Sequence, residues 1–358
     1  IGTLLLVAAA IPLALQVKVE SNLIEFFAPD HGISRSTARV EAKLSGVTTM
    51  EIVLTASERD GLKNPATLAQ IKALQTWLEQ QPEIDRSFSL VEVVEEMNRA
   101  FSGEDLGDHA LPTNRRLVEQ LLLIYDGEDL YELVNREFQR GRIALNLNVH
   151  GANEIGQVIE RIETHLAARP IPGIDTEMAG FGRLFSDQED RIVVGQVKSF
   201  SSAFLQILLL LALLFRSFRG ALICLVPNLA PLFFIFVMMG VSGIALDVAT
   251  VLIAGVILGI TVDDTIHLYH GYLHRIRRGV SPVFAIIRSV EASGRAVVAI
   301  SIVLIVQFSL LGMSDFRPTA HFGMLCAVGL FAGQLFELLL MPALLGLRLR
   351  KSGAVTAP

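Results

Sequence analysis

The feature that most constrains how this chain can fold is a long stretch without a charged residue, at residues 220–246. About 20 apolar residues suffice for a helix that crosses the hydrocarbon core of a bilayer. The composition agrees, because 52% of the 358 residues are hydrophobic and only 18% are charged. We therefore expect a membrane protein, which excludes an ordinary soluble enzyme.

Composition excludes two further classes. A net charge of −6 does not suit a protein that binds nucleic acid through a basic face. The sequence has two cysteines, Cys224 and Cys326, and both lie in apolar runs. We therefore expect neither a disulfide framework nor a zinc site built on cysteine.

Six segments are long and apolar enough to be predicted as membrane-spanning helices. The first, residues 1–17, is short and begins without Met, so we expect it to be the truncated start of a helix. A secretory signal peptide is the alternative, but the segment lacks a basic start and a clear cleavage site. The other predicted spans are residues 199–215, 220–242, 246–273, 296–313 and 319–347.

The basic residues of the short loops predict the orientation of these spans. Ten Lys and Arg residues lie on one side of the predicted bundle, whereas the opposite short loops contain only Arg317. Cytoplasmic loops carry an excess of Lys and Arg. Both ends of the chain are therefore predicted to be cytoplasmic, with five helices in residues 196–348 and a tail at 349–358.

Residues 18–195, between the first two predicted spans, are acidic. They carry 18 Lys and Arg against 30 Asp and Glu, whereas the rest of the chain carries 12 against 6. We predict that they form a separate extracytoplasmic α/β domain with a small sheet and helices on one face. The predicted order is strand, helix, strand-like segment and helix, followed by strand, helix and strand. Apolar runs or alternation predict strands at 48–56, 142–149 and 175–180. Helices are predicted at 65–80, after an N-cap at Asn64, at 90–101, 113–125 and 153–168, and from 181 into the next span.

The acidic domain lacks recognised catalytic or cofactor-binding motifs. Its sequence contains no G-x-G-x-x-G, P-loop, G-x-S-x-G or H-E-x-x-H. Gly180 and Gly182 are interpreted as a turn or a close packing contact. Glu92, Glu95 and Glu96 are interpreted as the solvated face of a helix. We expect neither a cofactor nor an enzymatic activity.

Two adjacent acidic residues inside the predicted span 246–273 are the most informative feature. An ionised Asp in hydrocarbon costs at least a few kcal/mol, so Asp263 and Asp264 are interpreted as functional. Because neighbouring carboxylates repel, the pair is predicted to hold a proton that moves with conformation, as a proton-coupled transporter requires. The alternative is a hydrated pair that ends the helix near the cytoplasm.

Asp263 also begins a line of polar residues along one helical face. Spacings of 4, 3 and 4 residues place His267, His270 and His274 on the same side. Since His titrates near neutral pH, His267 is a candidate for the proton path. His270 and His274 are interpreted as an interfacial stripe, and a metal site on this one helix is a further alternative.

Other polar residues lie within the predicted spans. Glu337, midway through the last one, is a candidate second membrane site that either faces the aspartate pair or lines a groove toward the lipid. Pro227 and Pro231 are expected to bend the third span. Four uncharged residues are interpreted as ties between helices: Gln206, Asn228, Ser301 and Gln307.

The segment Gly259–Asp264 resembles the G-x-x-x-D-D signature of the resistance-nodulation-division superfamily. The stretch 259–267 is most similar to the tenth helix of bacterial exporters of the mycobacterial-large-membrane-protein (MMPL) type. Patched-like proteins share this Asp-Asp form. Supporting similarities are residues 226–229, 314–318 and 341–345.

The resemblance implies a six-helix half of a twelve-helix protein, with an outer porter domain of ferredoxin-like subdomains. It implies a proton relay at Asp263 and Asp264 and the export of hydrophobic or lipidic molecules. The protein would lie in a bacterial inner membrane, with its large domain in the periplasm. The partner would be a missing N-terminal half or a second copy of the chain. Asp264 stands where mycolate exporters tend to have Tyr, which disfavours a mycolate-type substrate.

Two other functions remain open at the level of the sequence. One is a membrane receptor that senses lipids or sterols, in which the aspartate pair has a structural role. The other is a proton-driven accessory of protein translocation. A titratable pair at membrane depth favours the proton-coupled functions over the sensor.

Overall fold

The computed structural model describes residues 11–14, 16–102, 111–125 and 127–351. The described chain divides into two compact units. Residues 22–25 and 29–189 form the outer unit, and the remaining described residues form the membrane unit. Most of the predicted first span, 1–17, and of the tail, 349–358, lies outside the described residues.

The outer unit is built on a four-stranded antiparallel sheet. Its strands are β1 (Thr48–Ala56), β2 (Ile84–Phe88), β3 (Arg140–Leu147) and β4 (Ile174–Ala179). They lie in the order β2-β3-β1-β4. Alternate residues of β1 and β3 are buried, and Ile52 lies opposite Ile143 in register. One face of the sheet therefore forms the core, as the alternation predicts.

Six helices accompany this sheet: α1 (Gly32–Lys43), α2 (Pro65–Leu78), α3 (Leu90–Ser102), α4 (Arg115–Tyr125), α5 (Leu130–Leu133) and α6 (Ala152–Ala168). Apolar residues of α2, α3, α4 and α6 share one hydrophobic core with the sheet. The predicted start of α2 is confirmed, because the Asn64 side chain accepts a hydrogen bond from the Ala66 N–H at 3.0 Å. The strand-like segment predicted between the helices 65–80 and 90–101 is β2, whereas the predictions missed α1 and α5.

The membrane unit contains long apolar helices. They are α7 (Phe181–Phe215), which begins in the outer unit, α8 (Phe218–Ser242), α9 (Ile253–Arg277), α10 (Pro282–Leu311) and α11 (Arg317–Lys351). Among the described residues, five helices are long and apolar enough to cross a membrane. The continuous α7 confirms the prediction that a helix runs from residue 181 into the second span.

The boundaries of the spans differ from the prediction mainly at their starts. The fourth predicted span begins at residue 246, but the chain first forms a short 3-10 turn at Thr250–Leu252. The Asp247 side chain accepts hydrogen bonds from the N–H groups of Ala249 (2.9 Å) and Thr250 (2.7 Å). This capping by a carboxylate fixes where the helical segment starts.

The segment 16–28, of which residues 16–21 and 26–28 belong to the membrane unit, contacts two loops of that same unit. Val19 forms a bridge with Leu246, and Phe27 forms a bridge with Phe316. The Phe27 and Phe316 rings also pack edge to face, with centroids 5.6 Å apart. The loops that follow α8 and α10 therefore lie at the same end of the helices as this segment.

Candidate functional site

The aspartate pair lies in the middle of its helical segment. Asp263 follows Thr250 by 13 residues and precedes Arg277 by 14, about 20 Å of helix on either side at 1.5 Å per residue. The pair therefore does not end the helix, because α9 continues for several turns beyond it.

One face of α9 carries a line of exposed polar residues. The Asp263 and His267 side chains are 74% and 68% exposed, and His267 Nε2 lies 3.7 Å from Asp263 Oδ1. One turn further on, the rings of His270 and His274 stack with centroids 6.4 Å apart. Gly259 is also exposed on this face. We call residues Gly259, Asp263, His267, His270 and His274 the α9 polar face.

Asp264 points away from this face. It lies about 100° further round the helix and is half-buried. The two carboxylates are still close enough to act on each other electrostatically. Their different surroundings give the two carboxyl groups different access to water.

Glu337 of α11 lies inside the bundle and is 4% exposed. The Thr265 hydroxyl donates a hydrogen bond to Glu337 Oε2 at 2.6 Å. Asn228 Nδ2 of α8 donates to Thr265 Oγ1 at 2.9 Å and to the Cys224 carbonyl at 2.7 Å. Asn228, Thr265 and Glu337, here the Glu337 cluster, thus connect three helices. The Glu337 carboxyl group therefore lies inside the bundle and not in a groove that faces the lipid.

Close backbone packing holds α11 against its neighbours beside this cluster. Gly333 lies one turn before Glu337. A Cβ atom there would lie 2.8 Å from the Thr261 side chain of α9 and 3.5 Å from the Pro231 side chain of α8. Only glycine fits such a contact without displacement. Pro227 and Pro231 both lie inside α8, where each removes one backbone N–H donor.

The predicted polar ties are confirmed for two residues. Asn228 connects α8 to α9, and the Ser301 hydroxyl donates to Gln334 of α11 at 2.5 Å. Gln206 donates a hydrogen bond to Ser202 within its own helix, at 2.9 Å. Thr265 was not predicted as a site residue, because an uncharged hydroxyl beside two aspartates gives no distinct signal in the sequence.

The acidic residues of α3 are only partly solvated. The prediction of an exposed face holds for Glu96 but is wrong for Glu92 and Glu95. Glu95 is 8% exposed and forms an ion pair with Lys72. Glu92 accepts a hydrogen bond from the Ser89 N–H at 2.7 Å, which makes a capping box at the start of α3. Burial raises the pKa of Glu92.

The glycine pair at the start of α7 has a structural role, as predicted. Gly180 has φ +89°, and a Cβ there would lie 3.2 Å from the Glu51 N atom. A Cβ at Gly182 would lie 3.3 Å from the Thr49 carbonyl oxygen. A turn and a close approach to β1 explain both residues.

Potential metal ligands do not gather in the described parts of the chain. No group of three or more His, Cys, Asp or Glu side chains with a geometry that could hold a metal ion occurs there. Cys224 and Cys326 are both buried and free.

Comparison with known proteins supports the resemblance noted in the sequence. The sequence profile of the MMPL family matches residues 25–355. A protein of Methanocaldococcus jannaschii, described only by its membrane character, is 23% identical over 339 residues, which cover 93% of this chain and 85% of that protein. The match includes the outer unit, all five described membrane helices and both candidate sites. The chain therefore belongs to the MMPL family.

Proposed function

We propose that this chain is one half of an exporter that uses the proton gradient to move hydrophobic or lipidic molecules. Membership of the MMPL family supports a transporter of lipidic substrates rather than an enzyme. The observation that carries the proton-driven mechanism is the position of Asp263, Asp264 and His267 in the middle of a membrane-length helix. Ionisable groups at such depth usually lie on ion or proton pathways.

In the proposed mechanism, Asp263 takes up a proton from one side of the membrane and releases it toward the other. His267, one turn away, exchanges protons with Asp263 and connects it to the His270 and His274 end of the helix. Each protonation step then biases the helices between two arrangements.

The outer unit is proposed to be a ferredoxin-like porter domain outside the cytoplasm. Two strand–helix–strand units, β1-α2-β2 and β3-α6-β4, build its sheet in the order β2-β3-β1-β4. This order of elements supports a ferredoxin-like arrangement. The domain has no proposed chemistry of its own, and its motion with the helices would move the substrate.

A second half is proposed to cover the α9 polar face. An aspartate and three histidines would be costly against lipid hydrocarbon, so a partner that contacts this face in the membrane is needed. A second copy of the chain is the partner that we favour. The archaeal relative supports this choice, because 339 aligned residues are 85% of it, which gives it about 400 residues in all.

The proposed orientation predicts opposite accessibility for two loops. In a bacterial inner membrane, the variant Asp315→Cys, in the loop before α11, is expected to react with a membrane-impermeant maleimide that is added from the outside. Cysteine at Arg277 is expected to react only after permeabilisation, because the basic loops lie in the cytoplasm. Labelling of both from one side, or the reverse pattern, would contradict the topology. Native Cys224 and Cys326 are buried and give a low background.

Proton coupling itself is tested in energised everted membrane vesicles that contain the protein. A fluorescent lipid analogue is expected to be moved while respiration maintains the proton gradient, and a protonophore is expected to stop it at once. A potassium ionophore that removes only the electrical potential serves as the control. Movement that continues unchanged after the protonophore would rule out proton-driven export.

A further inference from the structure

The Glu337 cluster has fewer hydrogen-bond donors than its buried acceptors require. Asn228 Nδ2 uses both of its N–H groups, on Thr265 Oγ1 and the Cys224 carbonyl, and Thr265 uses its O–H on Glu337. Asn228 Oδ1 and Glu337 Oε1 are both buried without a hydrogen-bond partner. Buried acceptors are normally paired, and a carboxylate oxygen without a donor is the costlier of these two to bury.

No cation in the described parts of the chain bonds Glu337 directly, because its Oε2 accepts from Thr265 and its Oε1 has no partner. Asp264 of α9 acts on Glu337 as a like charge. The charged residues of α10, the third helix packed against α11, are all exposed: Arg288, Glu291 and Arg295. A carboxyl group that is 4% exposed and has one oxygen without a donor is less costly to bury with a bound proton than as the carboxylate.

We propose that Glu337 is a second proton-binding site and that Thr265 is a hydroxyl switch that responds to it. When Glu337 is ionised, the Thr265 O–H donates to Glu337 Oε2. When a proton binds Oε2, the carboxyl O–H donates to Thr265 Oγ1, and the Thr265 O–H turns to the Thr261 carbonyl 3.2 Å away. Thr265 keeps its own proton in both states, and the bound proton leaves from Oε2.

Both states of the switch satisfy the Thr265 hydroxyl, which can donate once and accept twice. The Asn228 hydrogen bond to Thr265 persists in both. Protonation therefore changes how firmly α11 is tied to α9 while the tie between α8 and α9 is kept. Thr265 directly follows Asp264, so the state of Glu337 is transmitted to the aspartate pair; this role rests on the proposed proton coupling.

The test is infrared difference spectroscopy of the complete chain in lipid nanodiscs, recorded between low and high pH. The carboxylic acid C=O band of Glu337 is expected to disappear as pH rises in the wild type and to be missing in Glu337→Gln. The band is expected to remain in the Asp263→Asn, Asp264→Asn double variant. This measurement needs no substrate. It can therefore support the Glu337 proposal even where export is not observed, and it can contradict that proposal even where export is observed.

Thr265 supplies the matched control. Thr265→Val removes the hydroxyl at constant shape and is expected to shift the Glu337 band to higher frequency, whereas Thr265→Ser is expected to keep it in place. Identical pH-dependent bands in the wild type and Glu337→Gln would overturn the proposal. Should Glu337→Gln fail to fold, a band that Thr265→Val leaves unmoved would overturn it equally.

Discussion

Replacing Asp263 with Asn is expected to lower proton-driven export on the order of a hundredfold or more, because Asn keeps the shape of the side chain but cannot carry a proton. Insertion and folding are expected to be unchanged. The Asp263 side chain is 74% exposed in the single chain and makes one weak contact with His267, so little packing depends on it. A large functional loss without a stability loss separates a proton carrier from a structural residue.

Three neighbouring variants calibrate this result in energised vesicles with the fluorescent lipid analogue. Asp264→Asn is expected to be damaging as well, since it removes the charge beside Asp263. His267→Ala is expected to be milder, and His274→Ala, three turns from Asp263, nearly silent. Export at the wild-type rate by correctly inserted Asp263→Asn protein would contradict the proton relay. The lipid-sensing alternative would then be the better function.

A cysteine at Gly259 is expected to crosslink two copies of the chain through the α9 polar face. Gly259 lies one turn before Asp263 on that face and is exposed. Polar groups at membrane depth need a protein partner, so this face should lie at the centre of the contact. Oxidation in the membrane is expected to convert most of the Gly259→Cys protein to a covalent dimer.

Leu209→Cys on α7 is the matched control, because Leu209 is 58% exposed but lies among apolar residues that suit lipid. It is expected to remain monomeric under the same oxidation. Equal crosslinking of both variants would indicate random collision. Crosslinking of Gly259→Cys to a different polypeptide would show that a separate half, rather than a second copy, covers the face.

Elements with strong local patterns could be predicted from the sequence. The apolar run within residues 48–56 predicts both ends of β1, and the pair Asn64 and Pro65 predicts the start of α2. The strand β2 was predicted only as a strand-like segment without bounds, because a register shift between Ile84 and Arg86 breaks its alternation. The helix α1 was missed because Ser34 is its only buried residue, so no apolar face marks it.

The candidate site divides in the same way. The α9 polar face could be predicted because Asp263 and His267 are neighbours on one helix, where spacing alone sets the geometry. The Glu337 cluster could not, because Thr265 and Glu337 are 72 residues apart and meet only through the rotation and packing of two helices. The burial of Glu95 against Lys72 likewise depends on how α3 packs against α2. Spacing within α3 alone therefore wrongly predicted a solvated face.

Proton movement through Asp263 is the central claim, and it can be measured directly with a pH-sensitive dye trapped inside proteoliposomes of the purified protein. In the presence of the fluorescent lipid analogue, an imposed pH gradient is expected to collapse through the wild type. The gradient is expected to persist with Asp263→Asn, as it does in liposomes without protein. Equal rates of collapse for the wild type and inserted Asp263→Asn protein would contradict the account.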